Sequence, residues 1–270
     1  MSAIRHDHAG GQAVYGVAVL NEGPAHTDQV IATAWALEPS VRLRDLGGMT
    51  AWDGWEQPAA DGLVARLRPR LDAAAKRAFD VAVALFLLLF GLPLWAVIAL
   101  GIALTSPGPV FFRQQRCGRG RRVFTCYKFR TMVVDAERRL REDATLAAAH
   151  AGQWKLHDDP RVTAVGRLLR KTSLDELPQL WNVLRGEMSL VGPRPVQPRE
   201  LTDVYGALAE TVTSVRPGLT GLWQVSGRSA LSYDQRVALD LAYVRRRGFW
   251  YDLWLILKTV PAVLWGKGAV

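Results

Sequence analysis

The sequence predicts a mostly helical α+β fold: a re-entrant membrane helix hairpin broken at Pro93, a small basic β-hairpin, and interfacial amphipathic helices. Three observations carry this reading. Residues 81–104 run for twenty-four positions without a charge. Residues 106–134 contain seven basic side chains and no acidic one. Beyond the basic stretch, Val165–Arg170 and Leu177–Leu184 carry apolar stripes of helical spacing, the latter ended by Gly186.

The uncharged stretch is long enough for a membrane, because a helix rises about 1.5 Å per residue and hydrocarbon is roughly 30 Å thick. Both of its flanks are basic. Arg66, Arg68, Arg70, Lys76 and Arg77 precede it, and Arg113, Arg116, Arg119, Arg121 and Arg122 follow. A span should concentrate Lys and Arg at its cytoplasmic end, so matching flanks predict a segment that dips in and returns to one face. Pro93 supplies the turn: it has no N–H, and its ring clashes with the carbonyl of Leu89. Gly91 eases the bend. Each half, 81–92 or 94–105, reaches only about 18 Å. A kinked transmembrane helix and a buried core helix are the competing readings of the same residues.

Ser106-Pro107-Gly108-Pro109 then breaks the helix and leads the chain out. Strands are expected over Val110–Arg116 and Arg122–Arg130, around a Gly118-Arg119-Gly120 turn. So basic a hairpin should lie against lipid headgroups or an anionic ligand; a solvated charged hairpin is the plainer alternative. Residues 135–151 read as one surface helix, 157–163 as a turn around Pro160, and Val165–Arg170 and Leu177–Leu184 as amphipathic helices, the last ended by Gly186. The tail from Phe249 to Trp265 is rich in Trp and Leu, suited to lying flat in an interface or to core packing.

A net charge of +9 implies an anionic partner. With a membrane segment present, that is first a lipid bilayer; no nucleic-acid motif accompanies the charge, so no nucleic-acid partner is expected. Cys117 and Cys126 form no C-x-x-C pair and have no neighbouring His, which argues against zinc and against a disulfide framework. Residues 1–70 form an N-terminal extension of unassigned role before a domain at 71–270. Its opening, Met1–Gly11, is polar and does not read as a signal peptide.

The chemistry concentrates at Ser173-Leu-Asp-Glu-Leu-Pro-Gln179. Asp175 and Glu176 stand together near a helix start, because Pro178 is tolerated only in a first turn. Ser173 and Glu176 match capping-box spacing, although Asp175 at or beside the N-cap suits Pro178 better. Arg161, Arg167, Arg170 and Lys171 precede the pair, and Arg185 and Arg194 follow. Arg194 lies between Pro193 and Pro195, a rigid setting for a guanidinium that grips phosphate. Carboxylates in a basic ring point to phosphoryl transfer with a divalent cation. Asp240 and Asp252 are expected to cap helices or to serve the metal.

Taken in order, several strings resemble one family. They are Lys76-Arg77-x-Phe79-Asp80, Ser106-Pro-Gly-Pro109, Lys128-Phe-Arg-Thr-Met132, Asp159-Pro-Arg161, and Leu174-Asp-Glu-Leu-Pro-Gln179 with Asn182. They continue with Gly186-Glu-Met-Ser-Leu-Val-Gly-Pro-Arg-Pro195, Arg216-Pro-Gly-Leu-Thr-Gly221, Gln224 and Gly227-Arg228. From about Lys76 onward the chain resembles the bacterial sugar transferases, the monotopic phosphoglycosyl transferases that begin exopolysaccharide, O-antigen and related glycan assembly. The resemblance implies transfer of a sugar-1-phosphate from a UDP-sugar to a polyprenyl (undecaprenyl) phosphate, releasing UMP, at the cytoplasmic face of the bacterial inner membrane.

It further implies that Asp175 is the nucleophile, forming an aspartyl-phosphosugar, and that Glu176 helps hold Mg²⁺. Lys128, Arg130, Arg161, Arg170 and Arg194 are the candidates for phosphate and nucleotide contacts. A homo-oligomer is compatible with the chain. The rival reading is a non-catalytic membrane-surface module that recruits partners to anionic lipid; it accounts for the charge but not for the carboxylate pair.

Overall fold

The structure, a computed structural model, describes residues 63–264 apart from 151–155, 157–158 and 229–230. Residues 1–62, and with them nearly all of the expected extension, lie outside the described residues. So do His157 at the turn and Trp265 at the tail. Among the described residues the elements are α1 (Leu63–Phe90), α2 (Leu92–Thr105), β1 (Phe111–Cys117), β2 (Val123–Phe129), α3 (Ala136–Glu142), α4 (Ala144–His150), α5 (Ala164–Thr172), α6 (Gln179–Leu184) and β3 (Ser189–Val191). After β3 come α7 (Pro198–Glu200), α8 (Ala209–Val212), β4 (Gly218–Thr220), α9 (Leu222–Ser226), α10 (Tyr233–Arg246) and α11 (Phe249–Leu264).

The apolar stretch is two helices, α1 and α2, bent by 62° at Gly91. No single described helix is long and apolar enough to cross a membrane, whereas the bent pair passes on length and composition together. Pro93 falls in the first turn of α2, where a missing N–H is harmless. Gly91 is the residue that permits the bend, since a Cβ there would collide with the carbonyl of Leu87 and the indole of Trp95. The inner face of α2 places Ile98 and Ile102, one turn apart, against Phe129 and Leu169. Its outer face leaves Val97, Leu100 and Leu104 bare, and Phe86, Leu89 and Phe90 of α1 are bare as well; Leu104 is 76% and Phe90 73% exposed.

α1 is tied down before it reaches the bend. Arg77 donates to the carbonyls of Val183 and Leu184 at 2.7 and 3.0 Å, meeting the negative end of α6. Lys76 pairs with the buried Asp252 of α11 and donates to Val191 O of β3 at 3.3 Å. Tyr243 reaches Asp252 Oδ1 at 2.9 Å, and Leu190 N donates to Asp80 at 3.2 Å. Asp252 and Asp240 therefore do not cap helices: α10 is capped by a Ser232–Gln235 box, and Asp240 lies inside that helix, hydrogen-bonded to Tyr205.

The first strand of the hairpin is shifted one residue forward of the expected limits and the second is one residue shorter at each end, with Phe111 opposite Phe129 and Cys117 opposite Val123. Its charge is not simply spread on a surface. Arg116, Lys128 and Arg130 turn inward, whereas Arg119, Arg121 and Arg122 at the tip are exposed. The single helix expected over 135–151 is broken at Asp143, whose side chain accepts from Leu146 N at the start of α4.

β3 and β4 pair in parallel, Ser189 with Gly218 and Val191 with Thr220, in a two-stranded sheet. Leu180, Val183, Met188, Leu222 and Leu255 close over it as the main core. Gly192 and Gly218 let these backbones meet: a Cβ on Gly218 would sit inside the backbone of Gly192 and Thr220. Neither neighbour is a flexible side-chain end that can give way. Gly218→Ala is expected to lower stability by about 3 kcal/mol or more, read as a drop in melting temperature of the detergent-solubilised protein.

Candidate active site

α5 ends at Ser173, which adopts a left-handed conformation (φ 57°) and reverses the chain. The next three residues, Leu174–Glu176, form a 3₁₀ turn, and Pro178 then stands at the N-cap of α6. The carboxylates thus lie in a separate turn between two helices, not in the first turn of α6. The capping box suggested by the Ser173/Glu176 spacing is absent; Ser173 Oγ instead accepts from Arg228.

Asp175 is buried, and Glu176 Oε1 takes Lys128 Nζ at 2.6 Å and Arg194 Nη1 at 3.5 Å. Lys128 comes from β2 and Arg194 from the loop after β3, so the turn is met from both sheets. The Arg194 loop is fixed on several sides. Gly218 N donates to Pro193 O at 2.8 Å, Arg116 donates to Pro195 O at 3.0 Å, and the Arg194 guanidinium lies 5.7 Å from the Trp223 ring centroid. Burial lowers the pKa of Arg194, but Glu176 and Glu200 more than offset this and leave it above the usual value. The group stays charged.

The other basic candidates divide. Arg170, held by Thr131 Oγ1 at 3.0 Å, faces the charges of Asp175 and Asp159; burial sets its pKa below the usual value. Arg161 is locked to Asp159 by a bidentate pair, with contacts of 2.9 and 2.7 Å. Arg130 donates to the carbonyls of Ser106 and Pro107, holding the exit of α2. All five border a cleft of about 1140 Å³. The lining of the cleft combines the charged Asp175, Glu176, Lys128, Arg194 and Arg228 with the apolar Val83, Leu87, Phe111, Phe112, Ile256 and Val260. Arg228 and Trp223 were not singled out from sequence, although Gly227-Arg228 belongs to the ordered strings.

Among the described residues no three His, Cys, Asp or Glu side chains converge as a metal cage. Adjacent carboxylates with hard oxygen donors nevertheless fit Mg²⁺, which characteristically takes one or two protein carboxylates and completes its sphere with phosphate and water.

Carboxylates opposed by ammonium and guanidinium groups, in a cleft lined by both charged and apolar side chains, form a site suited to handling anions. The bacterial sugar transferase model matches residues 71–266, and the chain belongs to that family. It is 45% identical over 207 residues to the exopolysaccharide production protein ExoY of Sinorhizobium fredii, covering 75% of this chain and 91% of that one. Against the undecaprenyl-phosphate galactose phosphotransferase of Salmonella typhimurium it is 44% identical over 208 residues, 75% of this chain and 43% of the relative. The UDP-glucose:undecaprenyl-phosphate glucose-1-phosphate transferase of Caulobacter vibrioides is 44% identical over 198 residues, 70% and 69% of the two chains.

Behind the Arg194 loop, Asp240 is fully buried, accepts from Tyr205 at 2.8 Å, and has its pKa pushed up to about 8 by burial. A raised carboxyl pKa means that the folded state binds the proton more tightly than the unfolded state does. The contribution of Asp240 to stability therefore falls as pH rises from about 4 through about 8. Asp240→Asn is expected to flatten that slope in melts recorded between pH 5 and 9.

Proposed function

We propose that this protein moves a sugar-1-phosphate from a UDP-sugar to a polyprenyl phosphate, the first membrane step of an exopolysaccharide or related glycan. The observation that carries the proposal is the carboxylate turn, which lines one cleft together with Lys128, Arg194 and a set of apolar side chains. The activities for which the Salmonella and Caulobacter relatives are named support it.

In this reading a carboxylate oxygen of Asp175 attacks the sugar-bearing phosphorus. The bond from that phosphorus to the oxygen of UMP breaks, and UMP leaves. A phosphate oxygen of the polyprenyl phosphate then attacks the same phosphorus, the Asp175–phosphorus bond breaks, and a polyprenyl diphosphosugar departs. Splitting one exchange into two similar displacements suits a donor in water and an acceptor in lipid, since the two need never be bound together. Lys128, Arg170 and Arg194 receive the phosphate oxygens, with Arg194 pre-aimed by its rigid loop. Arg130 and Arg161 hold the walls. Glu176 shares in holding Mg²⁺, which when bound offsets negative charge on the transferring phosphate.

In this reading the protein sits in one leaflet of the inner membrane on its cytoplasmic side, which the bare faces of α1 and α2 and the exposed Phe111 and Phe112 support. The apolar lining of the cleft would then meet the prenyl chain.

The decisive experiment incubates the protein with Mg²⁺, a panel of UDP-sugars and polyprenyl phosphate and measures UMP. Omitting the lipid should leave a phosphosugar on the protein, visible by intact mass. Asp175→Asn should abolish that adduct and lower turnover by at least about a thousandfold. An adduct that survives the substitution removes Asp175 as nucleophile, and absence of UMP with every donor, with liposome binding retained, favours a lipid-surface module.

Topology is checked separately. Single cysteines at the exposed Asp72 and Arg113, with Cys117 and Cys126 replaced, should both react with an impermeant maleimide from the same side of sealed vesicles. Labelling from opposite sides would make the bent pair a span.

A further inference from the structure

Three non-glycine residues among those described have positive φ: Arg121 in the hairpin turn, Ser173 at 57° and Arg228 at 53°. The last two meet each other. Arg228 Nη2 donates to Ser173 Oγ at 2.6 Å, and its Nη1 donates to the carbonyl of Ala262 in α11 at 3.3 Å. Both residues border the cleft, Ser173 immediately precedes the carboxylate turn, and Glu176 N donates to Ser173 O at 3.2 Å.

Left-handed backbone is free for glycine and strained for serine. A serine kept there signals that its hydroxyl is used, and the hydroxyl's partner is itself a strained residue. The two outliers stand at either end of one hydrogen bond beside the reactive carboxylates.

We infer that Arg228 is a positioning residue for the transfer: by clasping Ser173 to α11 it fixes the left-handed turn that aims Asp175 into the cleft. The clasp acts on the geometry of the nucleophile and not on the hold on the donor. One guanidinium with a planar fork serves two acceptors at once, which an ammonium does not reproduce. It also ties the carboxylate turn to the helix whose Ile256 and Val260 line the cleft. This inference rests on the phosphosugar-transfer reading above.

Steady-state kinetics on vesicle-bound protein test it, with Ser173→Gly, Arg228→Ala, Arg228→Lys and the double variant Ser173→Gly/Arg228→Ala. Ser173→Gly suits the left-handed backbone and removes the side chain that Arg228 holds. It should lower kcat by about tenfold to a hundredfold while the donor KM stays within about twofold. Arg228→Ala should show the same split, Arg228→Lys should not rescue it, and the double variant should be no slower than the worse single one. Melting temperatures are recorded alongside, and if Ser173→Gly does not fold, Arg228→Lys carries the same comparison. Wild-type turnover in Ser173→Gly, or a donor KM raised tenfold or more in Arg228→Ala with kcat retained, would overturn the clasp and make Arg228 a substrate contact. Absence of UMP from the wild type would instead sink the transfer reading itself.

Discussion

The pairing of the half-buried Lys76 with the buried Asp252 is the contact on which the rest of the architecture depends. It joins the helix that runs out to the apolar tip, a helix that lines the cleft, and, through Val191 O, the strand that leads to Arg194. Burial pushes the Asp252 carboxyl up, and the Lys76 ammonium and the Tyr243 hydroxyl work against that. Removing one partner of such a pair leaves a charge stranded in the interior, which is far worse than never having placed the pair there. The position of the carboxylate turn relative to the apolar tip is thus set by a few polar atoms inside the core, and not by the lipid.

Around that anchor, the site is assembled by backbone more than by side-chain packing. The two short parallel strands meet through glycines, and the ladder they form delivers Pro193-Arg194-Pro195 at a fixed height over Glu176. Lys128 arrives from the other sheet. Positive groups from independent elements converge on one carboxylate, so the turn is compensated without any one element having to carry all the charge.

Much of this was legible in the sequence, for identifiable reasons. The break at Gly91-x-Pro93 follows from local sterics, and the hairpin follows from glycines between two alternating runs; both are decided within a few residues, where sequence speaks most directly. The adjacency of Asp175 and Glu176 was visible, but the 3₁₀ turn that holds them was not, because it depends on Ser173 meeting Arg228, fifty-five positions later. The same holds for the basic residues. Arg161 and Arg130 look alike in a string of letters, yet one is locked to Asp159 two residues earlier and the other to the carbonyls that end α2. Asp240 and Asp252 read as caps because acidic residues near helices commonly are; their real partners, Tyr205 and Lys76, lie far away in the chain.

The apolar lining of the cleft has a consequence for the proposed transfer. On the proposed seating and two-step reaction, the nucleotide would be sampled from a volume and the lipid from an area. The acceptor's effective abundance would then be its mole fraction in the leaflet, and diluting it with inert phospholipid would slow the proposed second displacement even when its bulk molarity is held constant.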